Sequence, residues 1–199
     1  MKKLFFTLLT LLLPYCLSAQ TEKAKVVLDK VISTLTKGSG IQIDFEGTES
    51  GSIVMKGEKF YLHSGQIQSW YDGKTQWSYV ADTEEVNISH PTPEELQGIN
   101  PYFILVNYQD NFDSSYKGMK QHEGKQVHEI ILVPKGNDDE QITLWISKLN
   151  YPIYIKVERN GKSVSEINVR TIQEQEQISD HVFHFNKSLY PNAEIIDLR

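Results

Sequence analysis

The stretch Pro91-Thr-Pro-Glu-Glu-Leu-Gln-Gly-Ile-Asn-Pro-Tyr-Phe-Ile-Leu-Val-Asn-Tyr108 constrains the fold most, because it reads as two short helices set into a chain of strands. Thr92 is placed to cap the first helix. Pro93 follows at the first helical position and Glu95 lies three residues past the cap, which completes a capping box. Asn100-Pro101 repeats the start, and Tyr102, Phe103, Ile104, Leu105 and Val106 follow without a polar residue. A helix with no polar face must be covered on most sides. In a β-rich chain it is then either the plug of a closed core or the lid of an apolar cavity.

The chain begins Met1-Lys2-Lys3, runs through apolar residues from Leu4 to Leu13, and reaches Cys16-Leu17-Ser18-Ala19-Gln20. A basic start, an apolar run too short for a permanent anchor and a small residue at the cut describe a cleaved signal peptide over residues 1–19. Tyr15 before Cys16 is bulky where lipoprotein processing wants a small residue, which argues against lipidation. The expected mature chain, 20–199, is then a single domain with a sizeable core. It holds no cysteine, so packing alone must hold the fold. Losing Lys2 and Lys3 moves the formal charge from −6 to −8. Such a balance argues against nucleic acid and against resting on anionic lipid heads.

Along the mature chain, Thr21 to Lys37 has its apolar residues at helical spacing: Ala24, Val27, Leu28, Val31, Ile32 and Leu35. Gly38-Ser39-Gly40 closes this helix. Alternating segments follow. Ile41, Ile43 and Phe45 share one face of a strand. A two-residue Gly57-Glu58 turn would pair Lys56 with Lys59, Met55 with Phe60 and Ile53 with Leu62. Across Asp72-Gly73, any even-length loop puts Trp70, Trp77 and Tyr79 on one face, as a broad apolar surface or as a core cluster. Val86 and Ile88 mark another strand, and later strands run around Met119, Val127 to Val133, Ile142 to Ile146 and Ile153 to Val157. For Ile153, Ile155 and Val157 to share a face with Ile167 and Val169, the turn at Asn160-Gly161 needs a bulge or a third residue. A late strand is expected at Val182, Phe183 and Phe185, and an apolar tail at Ile195 to Leu198. The result is a mainly β fold with three helices: a strongly curved antiparallel sheet, or incomplete barrel, of about eleven strands.

Marks of catalysis are few. There is no mature cysteine nucleophile, no glycine-rich phosphate loop and no His-Glu-x-x-His pair. His181 and His184, three apart on a strand, would point to opposite faces and share no metal. Glu84-Glu85 and Glu94-Glu95 suit turns or helix starts. Serines and aspartates are plentiful, so a hydrolase with a triad assembled only in the fold stays an alternative.

The order of these features resembles a known family. It comprises a secretory leader, an amphipathic first helix, the hairpin Asp72-Gly-Lys-Thr-Gln-Trp-Ser-Tyr79 and the apolar mid-chain helices. The late hairpin Tyr151-Pro-Ile-Tyr-Ile-Lys-Val-Glu-Arg-Asn-Gly161, Asp180-His-Val-Phe-His-Phe185 and the tail Tyr190-Pro-Asn-Ala-Glu-Ile-Ile-Asp-Leu-Arg199 complete it. Over essentially the whole mature chain this is similar to the periplasmic outer-membrane lipoprotein carriers, the LolA-like proteins. The resemblance implies an incomplete eleven-stranded barrel with a helical lid, whose concave apolar face holds lipoprotein acyl chains. It further implies an inner-membrane ABC-type extractor that supplies the cargo, an outer-membrane acceptor, a monomeric carrier in the periplasm, no catalysis and no cofactor. The expected cavity and lid residues are Phe45, Ile53, Met55, Phe60, Leu62, Trp70, Trp77, Tyr79, Tyr102, Phe103, Leu105 and Val106. One departure stands out. Better-known members carry an arginine on an early strand that latches the lid, whereas the arginines here are Arg159, Arg170 and Arg199. The latch is therefore different or absent.

A carrier needs more inward apolar area than its own core consumes, since cover for acyl chains is worth ~0.8 kcal/mol per methylene. The alternative without that surplus is a non-enzymatic envelope adaptor, or a general module for lipids and hydrophobic ligands.

Overall fold

The computed structural model describes residues 2–38, 40–105 and 108–199, with side chains from residue 19 onward. Ser39, part of the expected helix stop, and Val106, one of the expected lid residues, lie outside the described residues. The chain divides into two compact units, Met1–Ile32 with Asn107–Ser165 and Ser33–Val106 with Glu166–Arg199. Among the described residues no helix is long and apolar enough to cross a membrane.

The fold is mainly β. Among the described residues it has an N-terminal helix α1 (Lys2–Leu35), short helices in mid-chain, and twelve strands. The hydrogen-bonded order is β12-β6-β5-β4-β3-β2-β1-β11-β10-β9-β8-β7, numbered along the chain, and it ends on β12 and β7 rather than closing. The expected class is therefore the observed one, with twelve strands in place of about eleven.

In the first unit, β7 (Phe112–His122), β8 (Lys125–Pro134), β9 (Glu140–Ile146) and β10 (Pro152–Arg159) form an antiparallel ladder. Ile130 pairs with Leu144 and Leu144 with Ile155, so one face collects Ile130, Leu132, Ile142, Leu144, Ile146 and Ile155, all buried. On the other face Trp145 stacks on Tyr154 at 4.0 Å and its Nε1 donates to Glu129. Helix α1 presents Ala24, Val27, Leu28 and Val31 as a buried stripe, as its spacing requires. It is tied within this unit by Lys23 Nζ, 4.2 Å above the Tyr116 ring, and by Tyr108, whose hydroxyl donates to Asp29 at 3.1 Å.

In the second unit, β1 (Gly40–Gly47), β2 (Gly51–Lys56), β3 (Lys59–Ser64), β4 (Ile67–Tyr71), β5 (Gln76–Val80) and β6 (Glu85–Ser89) pair in sequence as an antiparallel meander. The Gly57-Glu58 turn gives the anticipated register, with Ile53 opposite Leu62 and Met55 opposite Phe60. On the far side of β1 lies β11 (Lys162–Gln175), whose residues 166–175 belong to this unit.

Three expectations are corrected. Asn160 and Gly161 alone connect β10 to β11, both at positive φ (51° and 71°), so the turn is a tight two-residue one rather than a three-residue loop. That geometry is what Asn-Gly favours. A register shift is present in a different pair, where β1 passes from Asp44 opposite Thr171 to Phe45 opposite Val169 and leaves Arg170 of β11 as the extra residue. The segment expected as a strand at Val182–Phe185 is instead a 3-10 turn, Asp180–Phe183, closed by Val182 N–H donating to Ser179 O. It packs against β3 and β4 and, among the described residues, joins no strand ladder. The tail is a strand, β12 (Glu194–Asp197), and it pairs parallel to β6. A tail that first crosses the sheet returns to its edge in the same direction as β6, not as a hairpin.

Candidate functional site

The mid-chain helices belong to the second unit up to residue 106. Helix α2 (Pro93–Ile99) has the anticipated capping box: Thr92 Oγ1 accepts from Glu95 N–H and Glu95 Oε2 accepts from Thr92 N–H. Asn100 ends it and opens the next turn, accepting through Oδ1 from Tyr102 N–H at 3.0 Å. Pro101–Leu105 then forms a 3-10 helix, tighter than the helix expected, with Tyr102, Ile104 and Leu105 buried and Phe103 half-buried. A further short helix, α3 (Tyr108–Asn111), lies in the first unit.

Helix α2, through its C-cap Asn100, and the 3-10 helix cover one face of the meander. Phe103 meets Phe60 edge-on at 5.8 Å and Tyr71 at 6.2 Å. Fully buried Asn100 places Nδ2 at 3.6 Å from the Met55 sulfur. Direct pairing carries that face across the strands, since residues opposite one another share a side. Ile41 pairs with Met55, Ile43 with Ile53, Met55 with Phe60, Ile53 with Leu62 and Phe60 with Tyr71. Phe45 lies on the same side opposite Gly51 and is half-buried. Burial holds the Tyr71 phenol above its ordinary range, reinforced by the charges of Glu58 and Asp72.

Trp70, Trp77 and Tyr79 do not join this wall. They share a face with one another, as the even-length Asp72–Thr75 loop dictates, but it is the reverse face. Gly65-Gln66 forms a two-residue connection that pairs Tyr61, not Phe60, with Trp70. The twelve expected residues therefore divide. Phe45, Ile53, Met55, Phe60 and Leu62 line the lid side with Phe103 upon them, and the three aromatics face away. Tyr102 and Leu105 are buried on the lid itself. Val106 is not described. The reverse face is occupied by the C-terminal segment: Phe185 packs on Trp70 at 5.4 Å, and Tyr190 on Trp70 at 5.7 Å and on Tyr79 at 4.7 Å. Tyr190 also donates to Gln68 Oε1 at 2.7 Å, and Lys59 binds Asp180 at 2.7 Å. Ile41, Ile43 and Tyr71 were missed as wall residues. Ile41 and Ile43 follow the same alternation as Phe45, and the Gly65-Gln66 turn signal would have placed Tyr71.

The family profile described as "Outer membrane lipoprotein carrier protein LolA" matches residues 15–162. The chain belongs to this family. Its fold is similar to that of an uncharacterized conserved protein from Thermus thermophilus, 14% identical, with a TM-score of 0.65 over 88% of this chain and 99% of that one. A putative outer membrane lipoprotein-sorting protein domain from Vibrio parahaemolyticus is 13% identical, covers 85% of this chain and 99% of its own, and has a TM-score of 0.41. The lipoprotein LppX of Mycobacterium tuberculosis is 10% identical over 78% of this chain and 98% of its own, at 0.45. Among curated sequences, an uncharacterized protein of Methanocaldococcus jannaschii is 24% identical over 117 residues, 58% of this chain. The match spans 35% of that relative's length.

In this LolA-family chain each arginine has a carboxylate partner. Arg170 pairs with Glu46 on β1, Arg159 with Glu140 at 2.8 Å, and Arg199 with Asp197 at 2.6 Å. Within the second unit the lid is instead held by the Asn100–Met55 contact and the two edge-on rings around Phe103. Of the two histidines weighed for metal, His184 directs Nδ1 to Asp180 O at 2.9 Å and Nε2 towards Asp72 at 3.5 Å. Among the described residues no three His, Cys, Asp or Glu group closely enough to hold a metal ion.

Proposed function

We propose that this LolA-family protein is a periplasmic carrier that binds the acyl chains of lipoproteins against the lid-covered face of the second unit. It takes them from an inner-membrane ABC-type extractor and passes them to an outer-membrane acceptor. Residues 1–19 are removed on export, and the mature monomer works without cofactor or catalysis. The observation that supports this reading best is the contact of Phe103 with Phe60 and Tyr71. A half-buried aromatic lid residue meets an apolar wall through two edge-on ring contacts, and such contacts are worth only about 0.5–1.5 kcal/mol each beyond area burial. Phe103, so held, can give way to acyl chains, each methylene of which gains ~0.8 kcal/mol on burial.

The test is expression with its leader in a bacterial periplasm, gentle purification, and mass spectrometry of the bound material. Co-purifying acylated lipoprotein or fatty acid is expected from the wild type. Phe103→Asp should fold and come away empty, since a carboxylate on the wall would have to be desolvated whenever the lid packs against lipid. An empty wild type under every condition would sink the carrier reading.

A further inference from the structure

The lid buries a polar group that it leaves without a partner. The Tyr102 side chain is 6% exposed, and among the described residues its hydroxyl meets no hydrogen-bond acceptor or donor. Burial alone pushes its phenol far above the ordinary tyrosine range, so it remains a neutral donor at any physiological pH. Buried polar atoms are almost always paired, because water lost on burial must be replaced. Asn100, two residues earlier, shows what the lid does elsewhere. Its Oδ1 is spent on Tyr102 N–H, and even its Nδ2 finds the Met55 sulfur, a weak acceptor. A phenylalanine at 102 would fill nearly the same volume without a stranded donor. The neighbouring Phe103 has that side chain and lies on an apolar wall.

A purely aliphatic ligand would leave the hydroxyl as stranded as before. A ligand with a carbonyl oxygen would satisfy it. We propose that Tyr102 donates through its hydroxyl to the acyl carbonyl oxygen, ester or amide, of a bound acyl chain, and so makes the lid selective for acyl lipids over plain hydrocarbon chains. This rests on the acyl-carrier reading above and adds a polar determinant to an otherwise apolar site. No bond is made or broken; the ester oxygen accepts one hydrogen bond that the empty protein cannot form.

The experiment compares the wild type with Tyr102→Phe on two probes, a diacylglycerol and the dialkylglycerol ether of equal chain length, each displacing an apolar fluorescent dye. The ether lacks the carbonyl and keeps the tails and the free hydroxyl. Tyr102→Phe is expected to weaken diacylglycerol about three- to tenfold, the yield of one hydrogen bond, and to move the ether less than twofold. The carbonyl stretch of carbon-13-labelled ester should lie at lower frequency on the wild type than on the variant. The melting temperature of the variant should be unchanged or raised, which separates a lost contact from a damaged fold. Equal weakening of both probes, or no weakening of the ester, overturns the assignment while the carrier reading stands. A wild type that binds neither probe removes both.

Discussion

Two phenylalanines, Phe103 on the proposed ligand side and Phe183 in the C-terminal segment, separate a binding role from a structural one. Phe183 is fully buried in the C-terminal segment, and Phe103 is half-buried on the lid. Truncating a fully buried phenylalanine costs about 3–5 kcal/mol, a large share of a typical total of about 5–15 kcal/mol. Phe103→Ala loses two edge-on ring contacts and about half the burial, so it should cost about 2–3 kcal/mol. The order reverses for binding. If an acyl chain covers about 60–100 Å² of the Phe103 ring, at about 25 cal/mol per Å² its removal weakens binding by roughly ten- to seventyfold. Phe183→Ala should leave the affinity of the folded fraction within about twofold, since a residue that does not touch the ligand acts nearly independently of it. Urea unfolding followed by near-ultraviolet circular dichroism gives the stabilities. Titration with an apolar dye, without denaturant and at low temperature, gives the affinities. The reasoning is refuted if Phe183→Ala weakens the dye as much as Phe103→Ala does, because the bound chain would then lie on the aromatic reverse face or across both.

Other consequences are checked more simply. At Gly51 an added methyl would stand 2.1 Å from His63 O and 2.9 Å from the Phe45 ring. Gly51→Ala should therefore force β2 and β3 apart and cost about 1–3 kcal/mol in urea melts. His128, which meets the Tyr116 hydroxyl at 3.0 Å, is held below its ordinary value by burial and then by the charges of Lys23, Lys30 and Lys148. Its neutral form is favoured in the folded state, so its contribution is complete above about pH 6.5 and lost as pH falls through the lowered value. Urea midpoints measured from pH 7.5 to 5 should show that loss, and His128→Gln should flatten it. The Tyr108 phenol, beside Asp29, is pushed up to about 12, first by burial and then by that carboxylate. Its contribution is complete below about pH 10 and lost as pH rises through about 12. Absorbance titration of the phenolates should lose a late step in Tyr108→Phe.

Local chemistry made much of this fold legible beforehand. Thr92 and Glu95 set the start of the lid because a capping box is satisfied within four residues. The Gly57-Glu58 turn set the register of Ile53, Met55, Phe60 and Leu62 because side chains alternate with period two. The apolar run after Pro101 required cover on most of its sides, which its buried residues have. What composition and periodicity left open was which face each hairpin turns towards its neighbours. Trp70, Trp77 and Tyr79 agreed among themselves, yet a pattern confined to one hairpin carries no information about the next until the turn between them is fixed. Gly65-Gln66 fixes it and sends them to the reverse side. The strand expected at Val182–Phe185 failed for a related reason. Alternation there matched a strand, but a segment lying across a sheet closes its backbone bonds locally. The parallel pairing of β12 with β6, the bulge at Arg170 and the unpartnered hydroxyl of Tyr102 likewise depend on contacts between residues distant in the chain. The sequence determined the strands of the meander, the Gly57-Glu58 turn and the cap of the lid, since each is decided by neighbours along the backbone. Only the tertiary structure decided which aromatics lie beneath the lid, because that depends on how separate hairpins and the C-terminal segment divide the two sides of one sheet.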